Sequence, residues 1–149
     1  MIREARPEDV PAIVGMGRDF LHDGPYRKFI EDKPDIATQL VHRLIVEFAD
    51  RSKILIAEED GKPIGVVAFM LYPHFYSGEL TAQELIWYVK PEARNSFVPI
   101  ALFRAAERLA RELGAKQMQF SAPNPTETVK KFYEVAGYEL MELGYQKAL

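Results

Sequence analysis

The residues of this chain best suited to chemistry sit on a turn. In VKPEARNSFVPIALFRAAERLARELGA, residues 89–115, a strand runs out at Val89, a turn follows at Arg94-Asn95-Ser96-Phe97, and a long amphipathic stretch continues to Gly114. Amides in the first turn of a helix have no intrahelical acceptor and lie at its positive end, which suits them to phosphate oxygens. Those of Ser96, Phe97, Val98 and Ile100 are available on this reading, with the Ser96 hydroxyl and the Arg94 guanidinium as further donors. The turn holds no glycine, so any left-handed position would fall to Asn95, one of the few other residues that tolerate it. Pro99 has no N–H to offer, but it lies in the first helical turn, where proline is tolerated. The same residues also read as an ordinary helix start capped by Asn95 or Ser96, and the turn by itself does not separate the two readings.

Several other chemistries have no residues to carry them. The chain has no cysteine, which removes thiolate nucleophiles, thiolate metal sites and disulfides. No two histidines stand at i,i+4 and no carboxylate cluster accompanies them, so no metal site is expected. A G-x-S-x-G elbow, a phosphate loop ending in Lys-Ser/Thr and a basic stripe are all missing. With 149 residues, 48% of them hydrophobic, the chain suits one packed domain over residues 1–149. A net charge of −3 offers no general attraction to nucleic acid or an anionic membrane, so an anionic ligand needs a local patch. The opening MIREARPEDVPAI lacks the apolar run of a signal peptide, and no apolar stretch is long enough to span a bilayer, which makes a cytoplasmic location the expectation.

Periodicity supplies the frame that must hold the turn. Residues 2 to 5 suit a short strand, and Asp9 suits the cap of a helix with Val10, Ile13, Val14 and Phe20 or Leu21 at helical spacing, broken at Gly24-Pro25. A second helix, capped by Asp35 after Pro34, carries Ile36, Leu40, Leu44 and Phe48 and runs to near Asp50. KILIAE and PIGVVAFMLY are strands joined by Glu59-Asp60-Gly61-Lys62, a hairpin signal, and their apolar residues at nearly every position imply cover on both faces. TAQELIWYV is a strand with Glu84, Ile86 and Tyr88 on one face and Gln83, Leu85 and Trp87 on the other. A helix with Leu102, Ala106, Leu109 and Leu113 on one face and a Glu107–Arg111 pair on another follows, ended by Gly114. KQMQFSA is a fifth strand, residues 126 to 136 are a helix stopped by Gly137, and YELMELGYQKA supplies one or two last strands. The fold class is α+β, a mixed, mostly antiparallel sheet of six to seven strands with helices on both faces.

This order, with YVKPEARNSFVPIALFRAAERLARELGA followed by NPTETVKKFYEVAGY, resembles the GNAT superfamily of N-acetyltransferases over essentially the whole chain. In that family a strand ending in V-x-P-E-x-R leads into an Arg-x-x-Gly-x-Gly/Ala loop whose amides hold the pyrophosphate of acetyl-coenzyme A. A later F-Y-E-x-x-G-Y/F brings a tyrosine beside the coenzyme sulfur. Val89, Pro91, Glu92 and Arg94 match, as do Phe132, Tyr133, Glu134, Gly137 and Tyr138, whereas Phe97 and Pro99 occupy the two glycine positions. The resemblance implies acetyl-coenzyme A as cosubstrate, contacted by Tyr88, Val89, Arg94, Asn95, Ser96, Phe97 and Val98. Asn124 matches the family's coenzyme-contacting asparagine at a longer spacing from Tyr133.

The resemblance further implies N-acetylation by direct attack of an amine. An ammonium must lose a proton before attacking the thioester, and many members carry an acidic residue on the strand that here holds Glu84, which makes Glu84 the expected base. Its other reading is a strand-end glutamate in solvent. The departing thiolate has a thiol pKa of roughly 8.5 if it behaves like a free cysteine, and Tyr133 is the expected acid; its other reading is a packed ring whose hydroxyl meets water. His22, Tyr26, His74, Phe75 and Tyr76 come from segments that border the acceptor side in this family, and otherwise read as polar loop residues. The expected partner is a small-molecule or peptide amine, with neither nucleic acid nor membrane, and the aromatics of residues 72 to 76 suit a pocket lid or a homodimer contact. The competing class is a catalytically silent GNAT-like domain that binds an acyl-coenzyme A or a protein partner, which Phe97 and Pro99 support.

Overall fold

A computed structural model describes residues 1–149. The elements run β1 (Ile2–Glu4), α1 (Val10–Asp23), α2 (Pro34–Val46), β2 (Ser52–Glu59), β3 (Lys62–Pro73), β4 (Leu80–Val89), α3 (Val98–Glu112), β5 (Gln117–Gln119) and α4 (Glu127–Val135). Short 3-10 turns at Pro7–Asp9, Pro25–Lys28 and Pro91–Ala93 each begin on a proline, whose fixed φ suits a first helical position. Pro34 opens α2 in the same way, so Lys33 is the cap and Asp35 lies inside the first turn instead of capping it.

One sheet of five strands in the order β1-β2-β3-β4-β5 forms the centre, antiparallel except for the parallel β4–β5 pair. Asp60 and Gly61, with φ of 50° and 72°, make the β2–β3 hairpin turn. The sheet falls short of the six to seven strands that the sequence predicts, because residues 138–149 form no strand and β5 is confined to three residues. Strand hydrogen bonds are made to a neighbouring chain segment, so an alternating pattern becomes a strand only where another edge lies beside it.

Cover on both faces follows from alternation. Leu55, Ala57, Val67, Phe69 and Leu71 pack with Leu102, Ala105, Ala106 and Ala110 of α3. Ile54, Ile56, Val66 and Ala68 pack on the other face with Ile13 and Met16 of α1, flanked by Val41, Leu44 and Ile45 of α2. Gly65 lets α3 come close: a Cβ there would stand 2.9 Å from Leu102 Cδ1.

Candidate active site

The site begins with an irregularity in β4. Phe69 pairs with Glu84 and Ala68 with Ile86, so Leu85 is an extra residue with no partner across the ladder. A bulge of this kind exchanges the faces that follow it. Glu84 is therefore on the side of its partner Phe69, the α3 side, together with Trp87 and Val89, while Ile86 and Tyr88 turn to the α1–α2 side. The strict alternation that groups Glu84 with Ile86 and Tyr88 does not survive the bulge.

The pairing of β4 with β5 ends just before the bulge. The two pair only where Thr81–Gln83 meets Gln117–Gln119, and beyond this the β5-facing edge of β4 has no strand beside it. Glu84 sits at the fork. Its Oε2 accepts a hydrogen bond from the Ser121 N–H at 3.1 Å, and the residue is only 8% exposed. Burial pushes its carboxyl up to about 7, with the Ser121 N–H opposing the shift. The phenols of Tyr26 and Tyr133 are held above the ordinary tyrosine value, first by burial and then by the charge of Glu84, so both lie within its field.

Tyr133 is carried by α4, whose N-terminus is capped by Thr126 accepting from the Val129 N–H. Trp87, Phe103, Phe120, Phe132, Tyr133 and Tyr138 form one cluster of rings, with Phe103 and Phe120 4.8 Å apart and Tyr133 6.5 Å from Trp87. Tyr138 bonds through its hydroxyl to Glu107 Oε1 at 3.0 Å, so Glu107 serves this contact and makes no ion pair with Arg111. Tyr133 donates to no protein group.

The turn at residues 94–97 has no positive φ, with right-handed geometry at Arg94 (φ −65°) and Phe97 (φ −74°). Asn95 is not left-handed, and a glycine-specific conformation is required nowhere in it. The donor set differs from the sequence reading. The Ser96 N–H donates to Ala93 O, the Ser96 hydroxyl donates to the same carbonyl at 2.7 Å, and the Val98 N–H donates to Ser96 Oγ at 3.1 Å. The amides of Asn95, Phe97 and Ile100 remain without partners. Arg94 donates through Nε to Val89 O at 2.8 Å and through Nη2 to Asp23 Oδ2 at 2.9 Å, with its guanidinium 5.1 Å from the centre of the Tyr88 ring.

A cleft of about 550 Å³ opens between the end of α1 (Phe20, Asp23, Gly24), the end of β4 (Trp87, Tyr88, Val89), Arg94, and Pro123 with Asn124. Of the anticipated coenzyme contacts, Tyr88, Val89, Arg94 and Asn124 line it, and Asn124 is left-handed with φ of 46°. Asn95, Ser96, Phe97 and Val98 are not on its walls, and the Phe97 side chain is 85% exposed. Neither Glu84 nor Tyr133 lines the cleft, and of the two only Tyr133 is shown beside a lining residue, with its ring 6.5 Å from that of Trp87. Tyr26 stacks on Phe20 at 5.5 Å and reaches the field of Glu84, whereas His74, Phe75 and Tyr76 stand out on the β3–β4 hairpin. No group of three His, Cys, Asp or Glu is arranged to hold a metal, and no helix is long and apolar enough to cross a membrane.

The acetyltransferase (GNAT) family pattern matches residues 18–138 of the sequence. The chain belongs to the GNAT family. No functionally curated protein matches the sequence. Among solved structures, all of this GNAT chain aligns with 97% of a possible acetyltransferase from Clostridium difficile 630, at 18% identity and a TM-score of 0.81. It also aligns in full with 99% of a transcriptional regulator from Bacillus halodurans C-125, at 19% identity and a TM-score of 0.80. A ribosomal-protein-alanine N-acetyltransferase from Brucella melitensis biovar Abortus 2308 aligns over 99% of its length, covering 100% of this chain at 19% identity and a TM-score of 0.72. At such identities the likeness speaks for the fold alone.

Three members of this candidate site escape sequence reasoning. Ser121 contributes only a backbone N–H, which any residue type supplies. Asp23 is far from Arg94 in the chain, and its place beside the Gly24-Pro25 break is its sole local mark. Leu85 looks like any strand leucine, and nothing in its type announces an unpaired position.

Proposed function

We propose that this protein transfers the acetyl group of acetyl-coenzyme A to an amine of a small molecule or peptide by direct attack. The observation that carries the reading is Glu84, held at the fork of β4 and β5 by the Ser121 N–H, with burial pushing its carboxyl up to about 7 and its charge reaching the unpaired phenol of Tyr133. A carboxylate of that pKa is half ionised at neutral pH and strong enough as a base to take a proton from an attacking amine, directly or through one water. The amine nitrogen bonds to the thioester carbon, its proton passes to Glu84, and the carbon–sulfur bond breaks.

Tyr133 faces the sulfur on this reading. Its phenol is harder to ionise than a free tyrosine, so complete proton transfer to a thiolate of thiol pKa roughly 8.5 runs uphill, and the phenol acts by donating a hydrogen bond to the developing negative charge. The free β4 edge beside the cleft fits an extended chain with amide groups, as the pantetheine arm has. The unpaired amides of Asn95, Phe97 and Ile100 fit a pyrophosphate at the start of α3, with Arg94 as the charged group.

Peptide N-termini and small amines are the acceptors to try. The test has two stages. Thermal unfolding with acetyl-coenzyme A and with desulfo-coenzyme A should show equal stabilisation, because the pyrophosphate contacts involve no sulfur. Thiol release over an amine panel then measures turnover. Stabilisation without turnover on any amine would support the catalytically silent reading, and absence of any stabilisation would remove coenzyme binding altogether.

A further inference from the structure

The helices that cover the α1–α2 side of the sheet stop short of one corner. Their cover reaches Ala68 of β3 and Ile86 of β4. Beyond these the same face carries Tyr72 of β3, Gln83 of β4 and Gln119 of β5, placed together by strand alternation and by the Gln83–Gln119 pairing. Tyr72 is 38% exposed and both glutamines are half-buried. None of residues 70–72, 81–83 and 117–119 is charged. Gln83 and Gln119 are also the last pair before β4 and β5 part, so their side chains stand at the lip of the fork that holds Glu84.

The hydrogen-bonding capacity of these two amides is half used. Gln119 Oε1 accepts from the Tyr72 hydroxyl at 3.3 Å, and its Nε2 donates to no protein group. Gln83 Nε2 donates to Glu84 O at 3.4 Å, and its Oε1 accepts from no protein group. One free acceptor and one free donor therefore lie side by side, on strands about 4.8 Å apart.

We infer that Gln83 and Gln119 bind the first peptide unit of a polypeptide acceptor, whose N-terminal amine enters the fork toward Glu84. The inference rests on the acetyl-transfer reading above and narrows its acceptor to peptides. A peptide unit offers one N–H and one C=O, which match the Gln83 oxygen and the Gln119 nitrogen. A free amino acid brings a carboxylate instead, which has no hydrogen for the Gln83 oxygen and meets no cation among these strand residues. A diamine brings a second ammonium, and the glutamine corner offers it no carboxylate to pair with. Tyr26, held on the α1–α2 side by its stack on Phe20, lies in the field of Glu84, so the charge of the base is felt on the face where the peptide would lie.

Calorimetry on the protein, alone and saturated with coenzyme A, reads recognition without turnover. Tripeptides with a free N-terminus and amino-acid amides should bind, and the matching free amino acids and α,ω-diamines should bind roughly 10-fold more weakly or worse. Gln83→Leu and Gln119→Leu should each weaken tripeptide binding by roughly 10-fold, for the loss of one hydrogen bond. Coenzyme A affinity should not move, and on a tripeptide substrate KM should rise while kcat and its pH dependence hold. Gln119→Met keeps the length of the side chain should the leucine variant fail to fold by circular dichroism. Free amino acids or diamines that bind as well as tripeptides, tripeptides that do not bind, or variants that bind them as the native chain does would each overturn the inference. Tripeptides that bind selectively and are never acetylated would overturn the acetyl-transfer reading instead and leave the recognition standing.

Discussion

Asp23 Oδ2 stands 2.9 Å from Arg94 Nη2 and joins the end of α1 to the turn before α3 across the mouth of the cleft. Both side chains are about half exposed, and pairs of this kind contribute roughly 0–1 kcal/mol. The pair is therefore too weak to lock the cleft, and a pyrophosphate can take the guanidinium from it. Asp23→Asn should leave the melting temperature nearly unchanged and tighten coenzyme A several-fold at low salt, since one negative charge near the phosphates is worth about 1 kcal/mol at 4 Å in water. Calorimetry at low and high salt checks this: the gain should shrink as salt screens the charge.

Glu84 gives a prediction with a definite sign. Its carboxyl is raised from 4.5 to about 7 in the folded protein, so between those values the native state holds a proton that the unfolded chain has released. Stability is full below the lower value and falls as pH rises through the higher one, by up to about 3 kcal/mol. Glu84→Gln should accordingly raise the melting temperature at pH 8 and leave it unchanged at pH 4. If Glu84 is the base, kcat/KM of the native enzyme should climb through pH about 7, and the variant should lose that limb. A variant that gains no stability at pH 8 would show that the carboxylate is not buried in solution.

Tyr133→Phe keeps the ring in its cluster and removes only the hydroxyl, which has no partner in the protein. Stability should hold, coenzyme affinity should hold, and turnover should fall by roughly 10²-fold. Unchanged turnover on a confirmed acceptor would take the phenol out of the mechanism.

Phe97 and Pro99 separate into different expectations once the turn is known to hold no positive φ. Pro99→Ala restores an amide at the start of α3 and should improve coenzyme binding by about 1 kcal/mol. Phe97→Gly frees no donor, because Phe97 already has its N–H, and its ring points to solvent. It should lower stability by up to about 1 kcal/mol without a gain in affinity. Calorimetry on the two single variants distinguishes a missing donor from a missing glycine.

Phe103 is buried at the centre of the aromatic cluster that holds α4, whose own residues are nowhere fully buried. Phe103→Ala should destabilise the protein by about 3–5 kcal/mol. Denaturant unfolding measures the loss. A cost below about 1 kcal/mol would mean that α4 does not depend on this cluster.

Much of this architecture is written in local signals. Asp60-Gly61 makes a hairpin turn because those residues accept positive φ, Gly114 and Gly137 end helices for the same reason, and the apolar spacing of α1, α2 and α3 brings out helices wherever they fall in the chain. The family motif at Val89–Arg94 and Phe132–Tyr138 is legible for a like reason, since it rests on residue types in short runs. What the sequence could not decide depends on partners distant along the chain. The bulge at Leu85 arises from how β4 meets β3, and it reverses the faces of every β4 residue after it, including those behind Glu84. Burial of Glu84 and its bond to Ser121 require β4 and β5 to part at that point. Arg94 finds Asp23 only because α1 ends beside the turn. Residues 139–149 have the alternation of a strand, but a strand exists only when a neighbouring edge accepts its hydrogen bonds, and within this chain none does.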